Sequence, residues 1–352
     1  MKSLRSFYNA SRLKTLDAEC QKFLQDKTRF PDMRLRLTNS SKLNLARFDK
    51  LSADLIEASI SRDVDKYRKL MAEKYGAPDM AGLEEIVAYL AQRSATTKTQ
   101  NLFDKFCELV DIDLKLNTHY KPSDECFDYY RKMFNRIFKN QLRTIRSNVE
   151  VGMSYGEAVR NVMEGLGLIN LGWQIKKAKR GNALYIVGSQ KTVFVPDGKF
   201  ITNRSRAVRL LAHELLVHVG RRQNGIPYSL DEEGIGVLAE QLSFTRFMYK
   251  RSLRYLAVAL GWGVDGNKRD FKQVYELVRL ATLIIGFHDK GGASRVAFCE
   301  TARAFNGGHS DIPGFVLTKD AVYFGANLRL WESLESHMMN VEEFESLIVG
   351  TA

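Results

Sequence analysis

Two histidines five residues apart set the hardest geometric condition in this 352-residue chain. They close the hexapeptide His213-Glu214-Leu215-Leu216-Val217-His218, inside an amphipathic run from about Ser205 to Arg222 that reads as one long helix. Asn203 and Ser205 are candidate N-caps, and Gly225 is the candidate stop. In a regular α-helix five residues sweep about 500°, so the two imidazoles would point roughly 140° apart. They can face one point only if the helix takes up an extra residue, as a wide turn with i→i+5 hydrogen bonds within Leu211–Val219. The spacing therefore predicts an irregular helix, or else two unrelated histidines.

If the rings converge, the residue types are those of a zinc hydrolase. Neutral imidazoles bind zinc, which lowers the pKa of a water and polarises a carbonyl. A carboxylate beside the first histidine, Glu214, can take the water's proton and pass it to a leaving amine. A third ligand is within reach. Asp231-Glu232-Glu233-Gly234 opens a second helix, read as running from Asp231 through Phe247, and either glutamate can return to the metal. Gly234 and Gly236 add little bulk and let two helices approach closely. The competing reading makes both glutamates favourable charge at a helix N-terminus.

The rest of the chain is expected to be α+β and mostly α. Helical periodicity covers Leu51–Tyr75, Asp79–Gln92, Asn101–Leu116 and Phe127–Ile145. In the last of these the aromatics recur at helical spacing, so they read as a core stripe and not as a base-stacking platform. After residue 150 the texture changes. Tyr155–Leu166 reads as a helix, and Asn182–Val187 and Thr192–Pro196 as a hairpin joined by Gly188–Lys191. Either hairpin strand, as a sheet edge, can hold an extended peptide. The expected organisation is a basic helical region over 1–150 and a catalytic domain over 151–352, with a small sheet beside the histidine helix.

Composition narrows the class. Hydrophobic residues at 45% and charged residues at 27% exclude wholesale disorder. No apolar run reaches the ~18–20 residues of a membrane span. Met1–Tyr8 is basic but lacks the apolar core and cleavage site of a signal peptide. Cys20, Cys107, Cys126 and Cys299 are scattered without zinc-site spacing, so they read as reduced thiols. A cytoplasmic protein is expected. The net charge of +12 is front-loaded, with 12 Lys or Arg against 5 Asp or Glu in the first fifty residues. Such a balance draws nucleic acid, anionic membranes or acidic polypeptides without saying which. An RNP motif, a Cys/His finger and a basic–aromatic repeat are all missing, so nucleic acid is not favoured.

Several motifs together resemble a known family. His213–His218, then Asn224-Gly225, Glu232-Glu233-Gly234-Ile235, Phe315–Asp320, Tyr323 and Gly325 resemble the HExxxH metallopeptidases that include the microtubule-associated tubulin tyrosine carboxypeptidases. Bacterial relatives are named for a QEGLA motif. The resemblance covers roughly residues 150–335. It implies a zincin-like fold and a zinc-dependent peptidase acting as a carboxypeptidase on a polypeptide C-terminus, such as an acidic tail. The implied metal ligands are His213, His218 and Glu233, with Glu214 as base; Glu233 is chosen over Glu232 because the QEGLA motif keeps the glutamate before the glycine. Two departures bear on substrate specificity. QEGLA reads Glu232–Gly236 here as EEGIG, and Asn306-Gly307 stands where Arg-Gly is expected.

Arg303, Lys319 and Tyr323 are further candidates, for stabilising an oxyanion or gripping a terminal carboxylate. His119, His288, His309 and His337 lack spaced partners and read as surface or loop residues. HELLVH also resembles the dipeptidyl peptidase III motif, which leaves an aminopeptidase as an alternative. A non-enzymatic, basic nucleic-acid-binding protein with a structural His–Glu helix is the other.

Overall fold

The computed structural model describes residues 13–33, 49–110, 122–178, 184–244, 247, 251–286 and 290–350. The chain divides into two compact units, Met1–Tyr120 with Arg251–Gly325, and Lys121–Lys250 with Ala326–Ala352. In chain order the first unit begins with α1 (Leu13–Gln25), α2 (Lys50–Ile60), α3 (Val64–Tyr75), α4 (Met80–Arg93) and α5 (Thr97–Cys107). The second unit opens with α6 (Asp124–Ile137), α7 (Lys139–Ser147) and α8 (Tyr155–Gly165). It continues with β1 (Gln174–Lys177), β2 (Tyr185–Val187), β3 (Thr192–Val195), α9 (Arg204–Leu211), a π-helix over Ala212–Val219, α10 (Gly220–Gln223) and α11 (Glu232–Leu242). The first unit resumes with α12 (Ser252–Trp262), α13 (Phe271–Ile285) and α14 (Lys290–Ala304). Last come α15 (Ala321–Ser336), whose residues from Ala326 on belong to the second unit, and α16 (Val341–Val349). The fold is mostly helical with one small sheet.

Local chemistry explains most boundaries. The periodic run Leu51–Tyr75 is two helices and not one. Arg62 takes a left-handed φ of 61°, and the Asp63 side chain accepts from the Lys66 N–H, starting α3 afresh. Phe127–Ile145 likewise breaks at Phe138, while Phe127, Tyr130, Phe134 and Phe138 are buried, as a core stripe requires. Asn101–Leu116 resolves into α5, starting at Thr97; residues 111–116 lie outside the described set.

In the first unit Tyr67 stacks on Phe315 with centroids 4.3 Å apart, and Leu55, Ala58, Met71 and Leu317 complete that cluster. In the second, Trp331 packs against Phe127, Tyr130 and Phe247, and its indole N–H donates to Gln241 Oε1 at 2.8 Å.

The sheet has the order β1-β3-β2. β2 and β3 form the expected antiparallel hairpin, of which residues 182 and 183 lie outside the described set. β1 runs parallel to β3, pairing Gln174 with Thr192 through Lys177 with Val195. Thr192–Val195 is therefore the central strand, and its backbone has no free edge for a substrate. Among the described residues β1 and β2 are the two edge strands, and β2 lies against the π-helix. No described helix is long and apolar enough to cross a membrane. All four cysteines are free thiols.

Candidate metal centre

The helix carrying the two histidines is irregular where the spacing requires it. Asn203 caps α9 by accepting from the Arg206 N–H at 2.8 Å. Eight consecutive residues, Ala212–Val219, then form a π-helix before α10 ends the run. A π-helix bonds i to i+5, so residues five apart stack on one face. His213 and His218 are both buried, and their Nε2 atoms approach to 3.1 Å.

The second helix brings the carboxylate. Glu233, at the start of α11, places Oε2 3.5 Å from His213 Nε2 and 3.6 Å from His218 Nε2. A tetrahedral zinc ion with bonds of roughly 2.0–2.1 Å holds its ligands about 3.3–3.4 Å apart. The three atoms form a triangle of that size, with its centre about 2 Å from each. Among the described residues this is the one group of three that could hold a metal ion. The approach of the two helices depends on the glycines. A Cβ on Gly236 would lie 2.5 Å from the His213 ring, and one on Gly234 would lie 2.7 Å from the backbone of Ala326.

Carboxylates also hold the far side of each ring. His213 Nδ1 pairs with Glu240 Oε1 at 2.9 Å, and His218 Nδ1 with Glu232 Oε1 at 2.5 Å. With an acceptor at Nδ1, a neutral ring keeps its proton there and leaves the Nε2 lone pair for a ligand. Glu232 is thus the buttress of His218, while Glu233 is the carboxylate facing both Nε2 atoms. Glu232 is fully buried and is held in turn by Arg221 Nε at 3.2 Å and Arg222 Nη2 at 2.7 and 2.8 Å. Arg221 also donates to the Leu347 carbonyl of α16 at 2.8 Å, so the C-terminal helix braces this network. The Tyr228 hydroxyl donates to Glu233 Oε1 at 3.0 Å.

The electrostatics follow from these contacts. Burial alone would push both histidines down. Hydrogen bonds to Glu233 and Glu240 outweigh it at His213, and Glu232 and Glu233 raise His218 to about 10. Burial would likewise raise Glu233, but the two imidazoles hold it well below the usual carboxylate range. Glu214 is near enough to contribute to the rise at His218. Within Leu211–Val219 it is the only residue that is not buried, so the candidate base reaches solvent while its neighbours do not.

The pattern of residues missed part of this site. Glu240 went unread, although it follows Glu233 by seven residues, two helical turns along the same face, a spacing that could have found it. Arg221, Arg222 and Tyr228 carry no comparable periodicity. Helix α11 ends at Leu242 and not at Phe247, where the Ser243 N–H turns back onto the Ala239 and Gln241 carbonyls.

Arg303, Lys319 and Tyr323 belong to the first unit. Arg303 forms a two-point pair with Asp320, Nε to Oδ2 at 2.7 Å and Nη2 to Oδ1 at 3.3 Å. Burial opposes the charge on Asp320, yet Arg303, with Arg254, holds its carboxyl far below the usual range. Lys319 lies in the same short 3-10 turn as Asp320, and the Arg251 guanidinium sits 4.0 Å over the Tyr323 ring. His309 is a loop residue but a buried one, with Nε2 2.8 Å from the Ser59 carbonyl and its ring against Phe315. His337 is exposed. His119 and His288 lie outside the described residues.

The sequence model of one family, described as microtubule-associated tyrosine carboxypeptidase, matches residues 132–352. The chain belongs to this family. The match is longer than the motif-bearing stretch and takes in α16 and the last part of α6. Among curated proteins and among solved structures, nothing matches. Membership in the carboxypeptidase family makes this buried cluster the place to look for peptidase chemistry.

Proposed function

We propose that this protein is a zinc-dependent carboxypeptidase of zincin-like fold that trims the C-terminus of a polypeptide, with an acidic tail as the preferred substrate. The observation that carries this reading is the triangle of His213 Nε2, His218 Nε2 and Glu233 Oε2, with edges of 3.1, 3.5 and 3.6 Å. Two imidazoles and one carboxylate are the ligand set of catalytic zinc sites, which leave a fourth position open. A zinc ion held there supplies Lewis acidity to the scissile carbonyl and to an attacking water.

The chain's own residues do the rest. Glu232 and Glu240 fix the two rings with Nε2 presented inward. Glu214 reaches solvent beside His213, accepts a proton from water and delivers it to the leaving amine. The backbone of β2, a sheet edge against the π-helix, offers a place for an extended peptide. The family name supports a C-terminal tyrosine as the residue removed, and the net charge of +12 suits an acidic chain. Absence of a membrane-crossing helix among the described residues and four free thiols agree with a cytoplasmic setting.

The test is zinc content measured beside turnover of a peptide ending in tyrosine. Wild type is expected to hold one zinc per chain. Glu214→Gln should keep that zinc and lose about 10²–10⁴-fold in turnover, the usual effect of removing a general base. His218→Ala should lose both. Near wild-type turnover in Glu214→Gln would remove Glu214 from the mechanism.

A further inference from the structure

We propose that Tyr228 is a positioning residue that restricts Glu233 to one-oxygen coordination, keeping a place at the metal open for substrate. The inference rests on the zinc reading above and assigns a role to a residue that neither the ligand motif nor the base requires. The two oxygens of Glu233 have different partners. Oε2 faces the Nε2 atoms of His213 and His218, and Oε1 accepts the Tyr228 hydroxyl at 3.0 Å. A carboxylate can bind a metal through one oxygen or both. If Oε1 swung inward it would occupy the position that a catalytic site must leave free. A donor on Oε1 opposes that rotation.

The surroundings show that Tyr228 is held for this contact. It lies in the segment between α10 and α11, and the residue is 52% exposed, so burial alone does not hold it in place. Gly225 makes the turn into the segment with φ of 78°, and Pro227 fixes the backbone just before the tyrosine. Arg222 supports the segment from below. Its Nη1 donates to the Ile226 carbonyl at 2.5 Å, and its guanidinium lies 5.7 Å from the Tyr228 ring centroid. The same guanidinium grips Glu232 through Nη2. One side chain therefore sets both the buttress of His218 and the loop that steadies Glu233.

Tyr228→Phe removes the hydroxyl and keeps the ring. The full chain, wild type and variant, is loaded with cobalt in place of zinc, and the visible absorption spectrum is recorded beside zinc stoichiometry and peptide turnover. Wild type is expected to give the intense band of four-coordination. Tyr228→Phe should still bind one metal ion, give a weaker band of higher coordination, and lose about 10–100-fold in turnover, as for other residues that support a metal ligand. An unchanged cobalt spectrum overturns the positioning role, even if turnover falls, because the hydroxyl would then act on substrate directly. A wild-type chain that binds neither zinc nor cobalt overturns the zinc reading and this inference together.

Discussion

Glu232 and Glu233 are adjacent in sequence, yet they meet the histidines in different ways. Residues next to each other on a helix point about 100° apart, so one turns back to His218 Nδ1 while the other faces both Nε2 atoms. That His213, His218 and a glutamate of the next helix would cluster was legible in the motif, while the choice of Glu233 over Glu232 came from the family resemblance. The support was not legible. Arg221, Arg222 and Tyr228 act through contacts that no periodicity announces. Gly236 shows how tightly the site is built, since a Cβ there would meet the His213 imidazole at 2.5 Å. Gly236→Ala is expected to destabilise the protein by about 1–3 kcal/mol, the usual cost of overpacking, and to displace the ring from its place. Thermal unfolding beside zinc content checks this; an unchanged midpoint with full zinc would mean the ring has room that the geometry denies.

At the scale of elements, the i,i+5 spacing demanded a wide turn, and Ala212–Val219 forms a full π-helix. That irregularity could be foreseen because a functional demand on two side chains overrode the ordinary helical period. Strand β1 could not. Gln-Ile-Lys-Lys has one apolar residue, which suits a half-exposed edge strand and carries no alternating signal. Its pairing with β3 closes that strand's second edge and leaves β1 and β2 as the edges. The break at Ser61–Asp63 was also hidden, because a left-handed arginine is not marked by residue type. In the first unit, α14 is tied to the Thr318–Asp320 turn by the Arg303–Asp320 pair. Asp320→Asn leaves the guanidinium without its counter-charge and should cost about 2–3 kcal/mol at neutral pH, below the range for fully buried pairs because Arg303 keeps some exposure. The Asp320 pKa is depressed in the folded state. The pair's stabilisation is therefore present above the ordinary aspartate pKa of about 3.9 and is lost as the pH falls below it. Urea midpoints of the two proteins should differ at pH 7 and converge as the pH drops below about 4. A gap that stays constant would show that the pair contributes no charge-dependent stability.

For the whole molecule, composition changes near residue 150, whereas the two compact units exchange at 120, 250 and 325. Interleaving of this kind comes from contacts between distant parts of the chain, and no local window of sequence contains it. The family match spans 132–352, so it includes segments of both units. The motifs that carried the family resemblance are split the same way: the HExxxH and EEGIG segments lie in the second unit, and Phe315–Tyr323 in the first. Among the described residues one group can hold a metal ion, and it draws on two helices of the second unit alone. The most direct test is X-ray diffraction from crystals of the zinc-loaded chain on either side of the zinc absorption edge. A single anomalous peak is expected per chain, at about 2.0–2.2 Å from His213 Nε2, His218 Nε2 and Glu233 Oε2; no peak there, or a peak bound by other residues, would contradict the metal centre.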